Sequence, residues 1–274
     1  MGDVFRIAPL LLGLTLAGQP RNADWAYYLG DKATAHYSPL DQINTVNAGK
    51  LALKWSFETA KSESVGSVTP IVVDGVMYAP TPGRAIVAVD AATGKEIWRR
   101  KLPTAARPRM QDAPARRGLV YWPGDGTAPA RVLFGFGEWI YSVDPRTGEP
   151  TPGFGTDGRT EIPTSATASG AIFKNIYVIC GLFGDAYGYD VRDGRMLWRF
   201  RSVPRDGEFG AETWDKPQLG ANGWGGLSID DARGIAFVAF GAPRPDMTGT
   251  LESFHVPDAM GWDLQIGNKI APGR

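Results

Sequence analysis

Few side chains in this 274-residue sequence are placed for acid–base, nucleophilic or metal chemistry. His36 and His255 are far apart and neither has a metal-ligand spacing, which argues against a zinc site or a histidine-based triad. Cys180, the single cysteine, follows an apolar run without a nearby histidine, which favours inert burial. The adjacent Asp230 and Asp231 are typical of a solvated hairpin loop. These residues predict neither a catalytic group nor a metal site.

Charge and motifs exclude further classes of function. The sequence has no G-x-x-x-x-G-K-[ST] stretch and no strand-linked G-x-G-x-x-G, so a nucleotide cradle has no support. The sequence has 29 Lys and Arg residues and 29 Asp and Glu residues, so it has no net positive charge that would attract nucleic acid or an anionic membrane. We therefore expect a small-molecule or protein partner and no nucleic acid.

A repeated strand–turn–strand unit is the main feature of the chain. An alternating run ends in Asp90, Asp144 or Asp190, glycine follows four residues later, and a second run begins. Asp favours a tight turn through its side chain, and Gly supplies a positive φ. In two copies a tryptophan, Trp98 or Trp198, lies four residues after the glycine and is expected to point into a shared layer. The copies are residues 85–98, 139–148 and 186–198.

The repeat spacing predicts an all-β propeller. The three aspartates lie 54 and 46 residues apart, which fits one four-stranded blade per repeat. Upstream hairpins at residues 68–78 and 171–179 complete two copies, residues 229–238 open another, and residues 49–55 form a half-copy with one more tryptophan-bearing strand. The prediction is about four blades. A β-sandwich with irregular hairpins is the alternative, although it would not need the same turn to recur.

The two ends of the chain differ from the repeats. Residues 7–17 are apolar, follow Arg6 and are too short to span a bilayer, which indicates a signal peptide over residues 1–20; a short N-terminal helix is the alternative. The partial propeller is then expected at residues 21–249. Residues 250–274 contain no further Asp-to-Gly turn with its tryptophan and form an atypical tail.

Several stretches resemble the pyrroloquinoline-quinone (PQQ) dependent glucose and alcohol dehydrogenases, the quinoproteins, over their N-terminal half. The resemblance covers residues 24–246 and is carried by Asp24-Trp25, Tyr37-Ser38-Pro39-Leu40-Asp41-Gln42-Ile43-Asn44, residues 69–78, residues 117–124 and Trp224-Gly225-Gly226-Leu227-Ser228-Ile229-Asp230. It implies an eight-bladed propeller of about twice this length with PQQ and usually Ca²⁺ near its axis.

The resemblance also implies cofactor-binding residues. Trp224 matches the tryptophan on which the quinone stacks, Arg117 matches an arginine that bonds PQQ, and Thr167 matches a threonine that contacts it. A planar quinone needs an aromatic face and cations for its carboxylates, so these types suit the task. Without the resemblance, the same residues would be interpreted as a packing indole, a surface ion pair and a strand threonine.

Other positions depart from the family. Ser67 stands where a PQQ-contacting glutamate is common, and Ala242 stands where a calcium-ligating asparagine is expected. The loop at residues 182–185 is short and lacks the expected calcium-ligating glutamate, which leaves Ca²⁺ as the least supported part of the resemblance. Gln111 and Asp112 replace the vicinal cysteines of methanol dehydrogenases, so the chain is closer to the glucose type.

The expected function is that of a fragment of a PQQ-dependent dehydrogenase. Such an enzyme oxidises an aldose sugar or an alcohol in the periplasm, in some cases at the inner membrane, and passes electrons to a quinone or cytochrome. The family's catalytic aspartate is expected in the other half of the propeller, which is a candidate partner, so this chain is expected to be inactive alone. The alternatives are a cofactor-free propeller that serves as a binding or scaffold protein of the cell envelope, and a truncated gene product without function.

Overall fold

The computed structural model describes residues 24–59, 69–81, 84–103, 118–166, 168–181, 185–213, 220–221, 223, 225–241 and 243–244. In this part of the chain the regular structure consists of β-strands and two 3-10 turns, Ala48–Lys50 and Ala211–Thr213. The predicted all-β class is confirmed. None of the helices among these residues is long and apolar enough to cross a membrane. The predicted signal peptide and tail lie outside the described residues.

Three complete antiparallel blades follow one another, each with four strands in sequence order. Blade 1 contains β1 (Ile71–Val73), β2 (Val76–Thr81), β3 (Ala85–Asp90) and β4 (Glu96–Lys101). Blade 2 contains β5 (Val120–Gly124), β6 (Pro129–Phe136), β7 (Trp139–Val143) and β8 (Arg159–Glu161). Blade 3 contains β9 (Ala171–Phe173), β10 (Ile176–Cys180), β11 (Ala186–Asp190) and β12 (Met196–Phe200).

A fourth blade opens with a hairpin of β14 (Leu227–Asp230) and β15 (Ile235–Val238). Beside it, the short strand β13 (Gly220–Ala221) pairs with β16 (Pro243–Arg244). Three complete blades and one further hairpin confirm the predicted partial propeller of about four blades.

The predicted Asp-to-Gly turns form through local hydrogen bonds. The Asp90 carboxylate accepts hydrogen bonds from the backbone N–H of Ala92 at 3.1 Å and of Thr93 at 2.8 Å. Gly94 has a φ of +74° and its N–H donates to the Asp90 carbonyl at 2.8 Å. The hydrogen bonds from Thr93, chiefly from its hydroxyl, lower the pKa of Asp90. The sequence of each turn is therefore sufficient to close it.

The first strand of each blade is the innermost one. Contacts between neighbouring sheets join β1 to β5, β5 to β9 and β9 to β14, and an apolar cluster fills each space between blades. We call the end at which these inner strands begin the leading end. The opposite end, where each inner strand turns into the second strand, is the turn end.

Tryptophans fasten one blade to the next. The Trp98 indole N–H donates to the Pro145 carbonyl in blade 2 at 2.9 Å, and the ring lies so close to Gly148 that an added Cβ there would be 2.6 Å from it. Trp55 docks in the same way onto blade 1, with its N–H 3.1 Å from the Ala91 carbonyl. The predicted shared layer is thus a contact between blades.

One detail of the repeat prediction is wrong. Residues 51–59 form no strand, and the half-copy at residues 49–55 begins with a 3-10 turn instead. The physical reason is that no described strand lies beside this segment to pair with its backbone. Side chains hold it instead: Trp55 docks on blade 1, and Arg99 donates to the Thr59 carbonyl at 2.7 Å and lies over the Phe57 ring.

Candidate functional site

The three predicted cofactor residues, Arg117, Thr167 and Trp224, lie outside the described residues, so their roles stay predictions. The same holds for Ser67, Ala242 and the loop at residues 182–184. The flanking residues are described, however, and they precede the inner strands β5, β9 and β14. The described residues that flank the predicted site therefore lie at the leading end of blades 2, 3 and 4.

The chain segments that carry these residues meet around one side chain, Tyr28. A Cβ added at Gly118, the residue after Arg117, would lie 3.2 Å from the Tyr28 Cβ and 3.5 Å from the Ser169 Cβ. A Cβ added at Gly226 would lie 3.9 Å from the Tyr28 Cδ1. Ser169 is buried. Three segments that are distant in sequence are thus brought together beside a tyrosine.

Small residues let these segments pack closely at the leading end. Ala166 donates its N–H to the Gly137 carbonyl at 2.9 Å and forms a bridge with Gly181. A Cβ added at Gly223 would lie 2.6 Å from the Cys180 Cβ, so this position has no room for a side chain. The described backbone just before residues 167 and 224 therefore packs against neighbouring segments of blades 2 and 3.

Cys180 has a structural place in this packing. Its side chain is 1% exposed, and burial raises the pKa of its thiol to about 12. A thiol that stays protonated is a poor nucleophile and a poor metal ligand. The prediction of inert burial is therefore confirmed.

The buried carboxylate of Asp185 at the leading end already forms an ion pair and a hydrogen bond within the chain. Asp185 is 6% exposed and follows the short loop between β10 and β11. It pairs with Arg199 at 2.5 Å and accepts a hydrogen bond from the Ser202 N–H at 3.1 Å. Among the residues that the structure describes, no group of three or more His, Cys, Asp or Glu is arranged to hold a metal. Calcium stays a prediction.

Residues 24–32, which we call the crossing segment, run across the inner strands. The Trp25 N–H donates to the Val72 carbonyl of β1 at 2.7 Å, and the Ala26 carbonyl accepts from Tyr121 of β5 at 3.1 Å. Further on, the Lys32 carbonyl accepts from the Ile229 N–H of β14 at 2.8 Å. The segment therefore ties blades 1, 2 and 4 together and places Tyr28 at its leading-end position.

The turn end carries a separate polar groove of about 1560 Å³. Its lining includes Asp24, Asp74, Asp125 and the ion pair between Lys32 and Asp231, which spans 2.9 Å. Although this groove is large, it lies at the opposite end of the inner strands from the residues that flank the predicted site. We therefore assign the candidate site to the leading end on the positions of those flanking residues.

Sequence reasoning missed Tyr28 and Ser169. The crossing segment is not part of any repeat, so no periodicity singles out Tyr28. No motif distinguishes Ser169 from the other serines of the sequence. The only sequence signal was the Asp24-Trp25 pair, which marked the segment without indicating what its neighbours contact.

A family model described as "PQQ: Glucose/ethanol/alcohol dehydrogenase, beta-propeller domain" matches residues 25–253. The chain therefore belongs to this quinoprotein dehydrogenase propeller family, and the predicted resemblance is confirmed.

Individual relatives agree with the family. The chain is 32% identical to "Alcohol dehydrogenase (quinone), dehydrogenase subunit" of Gluconobacter oxydans (strain 621H), over 81% of this chain and 33% of the relative. It is 26% identical to "Quinoprotein glucose dehydrogenase A" of Acinetobacter calcoaceticus, over 83% and 34%. The crystal structure of quinohemoprotein alcohol dehydrogenase from Comamonas testosteroni matches with a TM-score of 0.67 and 25% identity, over 84% and 37%. The chain spans about a third of the length of these relatives.

Proposed function

We propose that this chain supplies a PQQ-binding part of a dehydrogenase that oxidises an alcohol or an aldose sugar and passes electrons to a quinone or cytochrome. The observation that carries the proposal is the family match over residues 25–253 together with the meeting of three segments beside Tyr28. We further propose a periplasmic location, supported by the apolar run at residues 7–17.

The leading end offers an aromatic ring, Tyr28, among small residues, and a quinone needs an aromatic surface at its border. Gly118 and Gly226 lie beside this ring, and Ser169 lies beside Gly118. When bound, PQQ would supply the quinone that accepts a hydride from the alcohol carbon.

In the proposal the chain's own side chains bind and orient this group. Arg117 would pair with a carboxylate of PQQ, Trp224 would offer its indole as a stacking face, and Thr167 would donate a hydrogen bond. Tyr28 borders the same place from the crossing segment. Because Asp185 forms an ion pair with Arg199, we do not assign it the role of catalytic base. We expect this chain to bind PQQ without oxidising a substrate.

The test is a PQQ titration of the 274-residue chain, followed by tryptophan fluorescence and by equilibrium dialysis. We expect saturable quenching and binding. Arg117→Gln should weaken binding by about 10-fold or more because a charge-assisted hydrogen bond contributes about 1.5–3 kcal/mol. Trp224→Ala should weaken it by about 2- to 12-fold, from about 0.5–1.5 kcal/mol of stacking.

Matched controls separate the site from general effects. Arg146→Gln removes an exposed arginine that pairs with Asp144 in a blade turn, and Trp55→Phe alters a docked indole at the outer side of blade 1. Both should leave PQQ binding unchanged. Tyr28→Phe should retain binding, whereas Tyr28→Ala should weaken it. A folded chain that shows no saturable PQQ binding would overturn the proposal and favour the cofactor-free scaffold.

A further inference from the structure

A chain of hydrogen bonds runs through the leading end of blade 3 and begins at the buried carboxylate of Asp185. One Asp185 oxygen pairs with Arg199 of β12, and the other accepts from the Ser202 N–H at 3.1 Å. The Ser202 hydroxyl accepts in turn from the Ala221 N–H at 3.0 Å. We call Asp185, Ser202 and Ala221 the linking network. It joins the β10–β11 loop, the end of β12 and the strand β13.

The linking network closes the long connection between β12 and β13. Ser202 and Ala221 are 19 residues apart in sequence, and bringing the ends of such a connection together costs entropy that specific bonds must offset. Among the described strands, β13 pairs only with the two-residue strand β16. Ala221 is buried, so its N–H needs a partner within the protein. The Ser202 hydroxyl is therefore a main determinant of where β13 lies relative to blade 3.

The chain leads from the linking network directly to the candidate site. Trp224, the predicted stacking residue, follows Ala221 by three positions. Gly223, immediately before it, is packed so closely that a side chain has no room there. Gly226, two residues after it, lies beside Tyr28. A displacement of Ala221 would therefore change the point from which residue 224 leaves blade 3.

We propose that Asp185 and Ser202 are positioning residues for PQQ, which hold β13 in the place from which Trp224 meets the cofactor. The inference rests on the proposed function, in which Trp224 is the stacking residue. Neither positioning residue needs to touch PQQ, because both act through hydrogen bonds to their neighbours in the chain. A buried ion pair adds little stability over an apolar replacement, so the fixed geometry of the Asp185 carboxylate is its distinguishing property.

The first measurement follows the linking network without any cofactor. Ser202→Ala removes the hydroxyl that accepts from Ala221 and leaves the bond between the residue 202 N–H and Asp185 in place. Hydrogen–deuterium exchange of the Ala221 amide, followed by mass spectrometry, should be about 2- to 12-fold faster in this variant, the range that corresponds to the loss of one neutral hydrogen bond. Ser202→Thr keeps a hydroxyl and should exchange like the wild type.

The second measurement is the affinity of the 274-residue chain for PQQ, determined by equilibrium dialysis. Ser202→Ala should raise the dissociation constant by about 2- to 12-fold, because positioning contributes no more than the hydrogen bond that provides it. Ser202→Thr should restore the affinity of the wild type. Asp185→Ala should weaken PQQ binding at least as much as Ser202→Ala. Asp185→Asn keeps an oxygen for the Ser202 N–H and should weaken it less.

A double variant separates positioning from a general loosening of the fold. Because Ser202 is proposed to act through Trp224, Ser202→Ala should have no further effect on PQQ affinity in a chain that already carries Trp224→Ala. Ser142→Ala is the matched control, since the Ser142 hydroxyl donates to the Thr151 hydroxyl at 2.9 Å in the core of blade 2. It should lower the Tm but leave PQQ affinity and the exchange of Ala221 unchanged.

Failure of the positioning role and failure of the proposed function give different results. A wild-type chain that binds PQQ no better than Ser202→Ala, or an Ala221 amide that exchanges equally in both, would overturn the positioning role alone. Additive effects of Ser202→Ala and Trp224→Ala on affinity would overturn it as well, because the hydroxyl would then act elsewhere. A folded wild-type chain that binds no PQQ, although Ser202→Ala speeds the exchange of Ala221, would overturn the proposed function and with it the role of the linking network in binding.

Discussion

Replacing Trp98 by Phe tests whether docked indoles hold neighbouring blades together. Trp98 is 8% exposed, and its N–H donates to the Pro145 carbonyl of blade 2 at 2.9 Å. Phe keeps an aromatic ring but removes the donor, so the buried Pro145 carbonyl loses this hydrogen bond. Leaving a buried acceptor unsatisfied costs about 1–3 kcal/mol.

The smaller ring adds a packing loss. Phe fills less of the space against Gly148, and the missing atoms cost roughly 1 kcal/mol in buried apolar contact. Trp98→Phe should therefore lower the free energy of unfolding by about 2–4 kcal/mol. For a chain of this size that corresponds to a fall in Tm of about 5–15 °C.

The assay is urea and thermal unfolding followed by circular dichroism, with Trp139→Phe as the matched control. Trp139 lies on β7, where its ring packs 4.5 Å from the Arg159 guanidinium, and its N–H donates to no acceptor among the described residues. Its replacement should cost less than about 1 kcal/mol. Equal costs for the two variants would refute the idea that the indole hydrogen bond fastens the blades.

Three further predictions concern the turns and the buried thiol. Gly148→Ala puts a Cβ 2.6 Å from the docked indole and should cost at least about 2 kcal/mol more than Gly75→Ala, which has a similar φ but nothing within 4 Å; urea unfolding compares them. The hydrogen bond from Arg192 lowers the pKa of Asp190 in the folded protein. The ionised Asp190 therefore stabilises the fold fully above about pH 4, the usual pKa of an aspartate in the unfolded chain, and this stabilisation is lost as the pH falls through the lower pKa of the folded state. Unfolding of Asp190→Asn should accordingly depend less on pH in acid than that of the wild type. Cys180 should react with a thiol reagent at about pH 8 only after unfolding, since burial raises its pKa to about 12; mass spectrometry counts the modified chains.

The blades were predictable because their turns are closed by residues within five positions of one another. Asp90 and Gly94 contain the chemistry of their turn, and the same pair types recur at Asp144 and Asp190. A periodic local signal therefore predicted both the hairpins and their number. The strand expected at residues 49–55 failed for the complementary reason: pairing needs a neighbour, and no described strand supplies one.

The candidate site was less predictable because it depends on contacts between distant segments. Tyr28 lies against Gly118 and Gly226, which are about 90 and 200 residues away, and no sequence period connects them. The resemblance indicated which segments matter, and the structure showed that they meet. Neither spacing nor composition would have placed a tyrosine between them.

The tryptophan contacts explain how a local repeat becomes a propeller. A hairpin turn determines strand pairing only within its own blade. An indole that donates to the turn of the next blade determines how the two blades are positioned relative to each other. The contact is directional: Trp55 docks on the turn of blade 1 and Trp98 of blade 1 docks on the turn of blade 2, whereas Phe154 of blade 2 lies against Gly194 in the turn of blade 3. Where blade 2 covers Trp98 that side chain is 8% exposed, whereas Trp198 of blade 3 is 37% exposed. The exposure of these indoles therefore depends on whether the turn of a next blade covers them.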